Sequence, residues 1–582
     1  MKKTPQDAGS ESGGRAGDSP SLTGVSRDGP ESSAVPAPRT GSFDWWRENI
    51  EALLVAVILA LIIRYFAVEA FEIPTGSMAN TLFGLHACVE CPNCSTEINV
   101  ALLSDSSSGK VNLPYRELLL YKGKCVNPAC TLAVHFRSRS GPFRAPGDEI
   151  QCMSCRTVFR GDPVGYVRGR GVTRPARCPT CHHVHEAVFE SGNVIGGHKI
   201  LVNKFSYALG EPRRFDVIVF GFDQWKNYIK RLIGLPGERI NVWDGDVYVN
   251  GQVVRKSDYA HAQDVLWTKI GDTDVTERGL NPIAAWAELA PEKAGRQLSQ
   301  EKNAQWNPTV NRWSMNATGD LAILEYQRRF DNYYDYNIYY HGSDGYPTFQ
   351  GPDDKRLPYQ VGDKMVSFSV KVASASARQG QVSGGGSWVG AEIRDGDFTF
   401  QLRIPVGKAS ETNLAMIEQI KPVAAGSPGS RASVMASIPL GTETRVEFEN
   451  ADDRVLARLN GQEILRIDYR SLPEGANFLD PPVPPAEMWD AQHLRIMASG
   501  VQAEFGSIQV FRDMFYIPRR HNEQPWRGIT LGEGEYFAMG DNAPSSSDGR
   551  YWGSIPEKNL MGKALLVFWP AWPTNFQVKF IR

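Results

Sequence analysis

Two residues far apart in the 582-residue chain have the types that could share one reaction. Ser77 stands in "FEIPTGSMANTL", Phe71 to Leu82, and Lys230 stands in "NYIKRLIGLPGE". A serine hydroxyl is a weak nucleophile and needs a base to take its proton. Histidine is the common choice, but none stands beside Ser77, and seven of the ten fall between His86 and His261. Lys230 offers another route, because Tyr228, Ile229, Leu232 and Ile233 surround it with apolar side chains. Desolvation disfavours an ammonium, and enzymes bring such lysines from about 10.4 down to a pKa of about 7–8. A neutral Lys230 could take the Ser77 proton and return it to a leaving amine. The plainer reading of each residue alone is a serine in a turn and a lysine at a strand edge.

A second constellation is made of cysteines. All nine lie between Cys88 and Cys181. Cys91 and Cys94 precede Cys125 and Cys130, and two Cys-x2-Cys knuckles follow, Cys152 with Cys155 and Cys178 with Cys181. Paired knuckles present four thiolates to one tetrahedral zinc, and four thiolates leave no position for a reactive water, so the expectation is structural zinc. Disulfides are the alternative, because an oxidising compartment would pair the same thiols. Cys88 is left over, and His182, His183 and His185 could replace a thiolate.

These residues must be positioned by the elements around them. Residues 1–42 are rich in Gly, Ser, Pro and charge, and are expected to form a disordered tail. Residues 45–70 are expected to form a transmembrane anchor: from Trp46 to Tyr65 the run approaches the ~20 residues that a bilayer core requires, with aromatics and arginines at its ends. A buried core helix and a cleaved leader are the competing readings of that run. Beyond the cysteines, "HKILVNKFSY", "RRFDVIVFGF" and "YIKRLIGLPGERINVW" read as β-strands, and Asn250-Gly251 marks a hairpin. Residues 261–510 continue as strands with recurring turns. "FTFQLRI" alternates from Phe398, and Asn460-Gly461 turns a second hairpin that sets Val455, Ala457 and Leu459 on one face. That pattern is expected to give a β-sandwich. The chain is therefore read as mainly β. A net charge of -2, from 63 basic and 65 acidic residues, argues against nucleic acid as a partner.

Five blocks occur in order: "IPTGSM", "KILVNKFSY", "RRFDVIVF", "YIKRLIGLPGE" and "YFAMGDNAPSSSDGRYWG". Together they resemble the type I signal peptidases, over residues 50–85, 196–258 and 511–570. The resemblance implies a membrane-bound serine endopeptidase with a β catalytic domain in three parts, 71–87, 195–260 and 511–582. It would cut signal peptides from exported precursors after small-x-small sites, on the extracytoplasmic side of the cell membrane, behind a single anchor and without a catalytic cofactor. It makes Ser77 the nucleophile and Lys230 the general base. The Ser77 backbone N–H and the Thr75 hydroxyl would hold the oxyanion. Ser546 would orient the lysine, with Asp548 and Arg550 as a structural pair nearby. Phe71, Ile73, Leu82, Tyr228 and Ile229 would contact substrate. The sequence departs from the family pattern in two places. Ala79-Asn80 lacks a proline usual there, and "APSS" follows "GDN" where an arginine and acids usually stand.

Two insertions interrupt this pattern: the cysteine-rich segment 88–190, read as zinc-ribbon-like, and the sandwich 261–510. The second weakly resembles lectin-like sandwiches through "RVEFENADDRVLARLNGQEILRI" and could take a glycan or a protein ligand. Two other functions compete with signal-peptide cleavage. One is a membrane-stalked binding module with a degenerate peptidase domain. The other is a Ser-Lys peptidase of more specialised precursors. Membrane lipid is the remaining expected partner.

Overall fold

A computed structural model describes residues 42–62, 68–79, 81–90, 194–223, 226–261, 361–376, 386–411, 413–421, 429–472, 492–518, 526–543 and 546–569, with shorter segments elsewhere between 97 and 581. The chain divides into two compact units, residues 1–62 and 63–582.

The first unit contains the helix Ser42–Ile62. Its polar end carries Arg47, Glu48 and Glu51, with Arg47 and Glu51 paired at 3.5 Å one turn apart. Ile50, Leu53, Leu54, Val55 and Ile58 are all exposed. Among the described residues no helix is long and apolar enough to cross a membrane. The expected end of the anchor is also corrected. Val68–Glu72 is a strand that pairs with Lys199–Asn203, so residues 68–70 belong to a sheet.

The second unit is built from β-strands. One antiparallel sheet gathers three distant parts of the sequence, in the order Val68–Glu72, Lys199–Asn203, Leu560–Trp569, Val217–Asp223, Lys226–Gly234, Glu535–Met539 and Ile555–Pro556. Lys579–Phe580 adds to Leu560–Trp569. Alternation decides which side chains go where. Ile218 and Leu232 pack on one face with Tyr536 and Ile555, while Val217 and Val219 pack on the other with Ile200 and Ile73. A four-stranded sheet follows, Gln252–Val253, Asp246–Val249, Arg239–Trp243 and Ile529–Thr530. Its Asn250-Gly251 turn has positive φ at both residues, 52° and 83°, as a tight hairpin with right-handed strand twist requires. Asn460-Gly461 repeats the geometry at 50° and 80°.

Residues from Thr268 to Arg512 form two further sheets, of eight and seven strands. Val366, Phe368 and Phe505 from one sheet and Leu324, Val389 and Leu402 from the other share one buried cluster, the packing of a two-sheet sandwich. The same cluster takes in Phe215, Ile233, Ile240 and Phe537, so the sandwich core is continuous with that of the peptidase-like strands. The alternation expected at Phe398–Ile404 is only half present. Phe400, Leu402 and Ile404 enter the core, but Thr399 and Gln401 are buried as well, Gln401 donating to Glu392 at 3.3 Å. Both faces of that strand are covered.

Between 97 and 189 the described segments are strands, six of them in one sheet. Cys152 ends the strand Glu149–Cys152, opposite Phe136. Cys91, Cys94, Cys125, Cys130, Cys155, Cys178 and Cys181 lie outside the described residues. Cys88 hydrogen-bonds Asn99 Oδ1 at 3.0 Å.

Candidate active site

The tetrapeptide around Ser77 folds because one side chain anchors it. Gly76–Met78 is a single 3-10 turn closed by Ala79 N donating to Gly76 O at 3.1 Å, and Met78 is buried beneath it. Leu82 N donates to Met78 O at 2.7 Å and extends the turn. Thr75 precedes it in extended conformation, and its hydroxyl makes no capping bond to the turn. Ser77 is thereby held half-exposed over an apolar base.

Lys230 reaches it from the strand Lys226–Gly234, and Nζ donates to Ser77 Oγ at 2.6 Å. The lysine is 4% exposed. Burial lowers its pKa to about 8, against the pull of Asp548 and Asp541 toward the charged form. It is therefore partly neutral near physiological pH, at hydrogen-bond distance from a hydroxyl. Proton exchange between the two atoms is geometrically available.

The "GDN" block braces both residues. Asn542 N donates to Ser77 O at 3.1 Å, and its Nδ2 donates to Gly76 O at 3.0 Å. Asp541 accepts from Arg231 Nε at 2.8 Å and Nη2 at 2.6 Å, a fully buried bidentate pair, and also from the Thr81 hydroxyl. Because Lys230 and Arg231 are consecutive in a strand, one points to Ser77 while the other ties the strand to Asp541. Gly540 has no room for a side chain. A Cβ there would lie 2.1 Å from Ser546 Oγ and 2.4 Å from Ser77 O. Asp548 accepts from Gly540 N at 3.0 Å and from Arg550 at 2.9 and 2.8 Å. Burial would raise the Asp548 pKa, but Arg550 and these donors hold it below the usual carboxylate range. Arg550 also donates to Ile517 O and Ala543 O, so the pair knits the segment around Ser546.

Not every expected role has its contact. Ser546 is buried beside Gly540, yet its Oγ makes no hydrogen bond in the structure, and Lys230 directs its bond to Ser77. Ile73 and Leu82 are 3% and 0% exposed and serve as core, while Phe71 and Ile229, packed against the same cluster, are only partly buried. Tyr228 belongs to a different cluster, stacked on Phe220 at 5.9 Å, because adjacent strand residues face opposite ways. Arg231, Asp541 and Asn542 were missed as site residues. Their signal was present in the quoted blocks, where an arginine follows the lysine and "GDN" follows an apolar strand.

A second buried titratable cluster lies where the sandwich meets the peptidase-like strands. Asp246, Asp363 and Asp452 bring carboxylate oxygens close enough to share a cation. The cation present is an ammonium. Lys256 Nζ pairs with Asp452 and lies 2.6 Å from Asp513 and 3.9 Å from Asp246. These oxygen donors are unlike the thiolate set expected for zinc.

Residues 191–294 and 503–569 match the family model described as signal peptidase, peptidase S26. The match contains Lys230, Ser546, Asp548 and Arg550. Ser77 precedes it in sequence and joins it in space. Signal peptidase I of Bacillus caldolyticus is 49% identical over 65 residues, covering 11% of this chain and 33% of that protein. Signal peptidase I V of Bacillus subtilis (strain 168) is 44% identical over 69 residues, covering 12% and 41%. The chain thus spans less than half the length of these curated relatives. Among solved structures, the carbohydrate-binding module CBM66 from Bacillus subtilis aligns at 9% identity over 38% of this chain and 93% of its own, with a TM-score of 0.21, a likeness too slight to decide anything about the sandwich. Two segments divided by the sandwich and reunited in one sheet are thus similar to the signal peptidase, peptidase S26, family model.

Proposed function

We propose that the protein is a serine endopeptidase that removes signal peptides from exported precursors after small-x-small sites. The observation that carries this reading is the 2.6 Å contact between Ser77 Oγ and a buried Lys230 whose pKa is lowered to about 8. Ser77 Oγ attacks the scissile carbonyl carbon as its proton passes to neutral Lys230. The oxyanion is met by the Ser77 N–H and the Thr75 hydroxyl. The lysine then protonates the departing amine, which leaves an acyl-serine. Lys230, neutral again, takes a proton from a water molecule whose oxygen attacks the ester carbon, and gives that proton to Ser77 Oγ as the ester C–O bond breaks, releasing the new carboxyl end and regenerating Ser77. No histidine takes part. Phe71 and Ile229, partly buried against the cluster that holds Met78, would contact the small side chains before the cut.

The same reading makes residues 45–67 a single membrane anchor with the peptidase on the extracytoplasmic side. The support is the exposure of Leu53, Leu54, Val55 and Ile58, side chains whose burial in lipid would be favourable. A tethered nucleophile meets a membrane-borne cut site at high effective concentration. The eight cysteines hold structural zinc in this proposal. Metal analysis of the purified chain is expected to find about two ions bound through thiolates; paired disulfides without metal would refute it. The sandwich, expected to take a glycan or protein ligand, enters here only as packing, since its core is continuous with that of the peptidase sheet.

The binding-module alternative requires a degenerate site. The Lys230–Ser77 contact and the complete Asp541–Arg231 and Asp548–Arg550 pairs weigh against it. The deciding experiment incubates the purified full chain with a precursor ending in a small-x-small site, beside Ser77→Ala. Cleavage at that site by the wild type alone supports the proposal, and equal products from both proteins reject it.

A further inference from the structure

The loop that carries Thr75 and Ser77 is closed at its base by one residue from far along the chain. Ile73 N donates to His198 O at 2.9 Å on the entering side of the loop. On the leaving side, His198 N donates to Phe83 O at 2.9 Å, and Phe83 N donates back to His198 Nδ1 at 3.3 Å. The Phe83 and His198 rings meet edge to face with centroids 5.4 Å apart. His198 therefore touches both ends of the loop, twice through its backbone and once through an imidazole nitrogen that must be without a proton to accept.

Packing next to this clasp has no slack. Gly197 lies against Ile73, where a Cβ would sit 1.8 Å from the carbonyl oxygen. Gly84, directly after Phe83, lies against the Thr75 backbone, where a Cβ would approach within 2.5 Å of the carbonyl carbon. His86 Nδ1 in turn contacts Gly84 O at 2.7 Å. A displacement of Phe83 therefore passes through Gly84 to Thr75, the residue proposed to meet the oxyanion. Both ends of the cysteine-rich insertion leave from the same point, since His86 and Ala87 pair with Ile195 and Val194.

We infer that His198 is a positioning residue, whose Nδ1 fixes the Phe83 end of the nucleophile loop and through it the alignment of Thr75 with Ser77. Its catalytic consequence rests on the peptidase reading, but its structural consequence does not. The test uses the full chain in detergent with two complementary variants. His198→Phe keeps a ring against Phe83 and removes the acceptor. His198→Asn removes the ring and offers Oδ1 near the place of Nδ1. Hydrogen exchange of the Phe83 amide and the kcat and KM for precursor cleavage are measured on each. His198→Phe is expected to speed exchange of that amide by about tenfold. It should lower kcat by roughly ten- to a hundredfold, the scale of a small misplacement, and leave KM near its wild-type value. His198→Asn is expected to retain both the protection and most of kcat. Unchanged exchange in His198→Phe, or a His198→Asn variant as impaired as His198→Phe, overturns the inference. Should His198→Phe fail to fold, the His198→Asn arm still decides. A wild type that cleaves nothing would defeat the peptidase reading, while the exchange arm would still judge the clasp.

Discussion

Lys230 and Lys256 are both buried, both in the second compact unit, and separated by a short stretch of sequence, yet their pKa values move in opposite directions. Burial acts on both by disfavouring the ammonium. At Lys230 it prevails and the pKa falls to about 8, because Asp541 and Asp548 each have an arginine of their own. At Lys256 burial is overcome by Asp452, Asp513, Asp246 and Asp363, and the pKa rises well above its ordinary value. The carboxylates there respond in kind. Burial pushes Asp513 up to about 7, and burial together with neighbouring acids pushes Asp246 and Asp363 up as well. A buried lysine becomes a base only where nearby acids are already neutralised by other partners. Otherwise it is a structural cation.

The largest effect expected from this contrast is on catalysis. Lys230→Arg keeps a positive charge that cannot be given up, and Ser77→Ala removes the attacking oxygen. Each is expected to reduce precursor cleavage by about a thousandfold or more while leaving the fold intact, as read by steady-state kinetics and circular dichroism. An active Lys230→Arg would erase the distinction between the two lysines.

Stability should respond in the opposite order. Lys256→Met strands several carboxylates in the seam between sandwich and peptidase sheet, and is expected to cost about 3–5 kcal/mol in denaturant unfolding. Lys230→Met should instead stabilise the protein. A folded pKa of about 8 against 10.5 corresponds to a penalty of roughly 3 kcal/mol that is complete below pH 8. As pH rises from 8 past 10.5 the unfolded chain also loses its proton and the penalty disappears. The gain from Lys230→Met should therefore be clear at pH 7 and small near pH 11. A variant destabilised at pH 7 would contradict the assignment of Lys230 as a strained, partly neutral amine.

The pH–rate profile is a finer probe. Cleavage by the wild type is expected to rise about tenfold per pH unit below 8 and to level above it, since only the neutral amine accepts the proton. A flat profile from pH 6 to 9 would point to another base.

Lys364 supplies the smallest expected effect. Burial lowers its pKa to about 8 too, but its Nζ donates to Arg394 O and Gln492 and lies 4.8 Å from the Phe330 ring centroid. No serine is among those partners, so a low pKa there serves no reaction. Lys364→Met is expected to leave cleavage rates unchanged within about twofold, the scale of a substitution away from the site. Loss of activity would mean that the sandwich bears on the peptidase site more strongly than a shared core implies.

The sequence by itself determined the chemical alphabet and its local geometry. The order of the five blocks named Ser77 and Lys230. Two Asn-Gly pairs turned two hairpins because only residues tolerant of positive φ can close them tightly. Apolar neighbours in "YIKRLIG" foretold a desolvated lysine. Those properties are legible because they depend on nearest neighbours along the chain. What only the tertiary structure decided depends on residues brought together from afar. It separated Lys230 from Lys256 and Lys364, whose sequence neighbourhoods give no count of the carboxylates packed around them. It made Ile73 and Leu82 core residues and turned Tyr228 away from Ile229, and it ended the first helix before Val68, where pairing with Asn203 offered the backbone a sheet. It also set His198 against Phe83 across 115 positions. Burial, charge balance and hydrogen-bond partnership are sums over spatial neighbours, and the linear order of residues does not contain those sums.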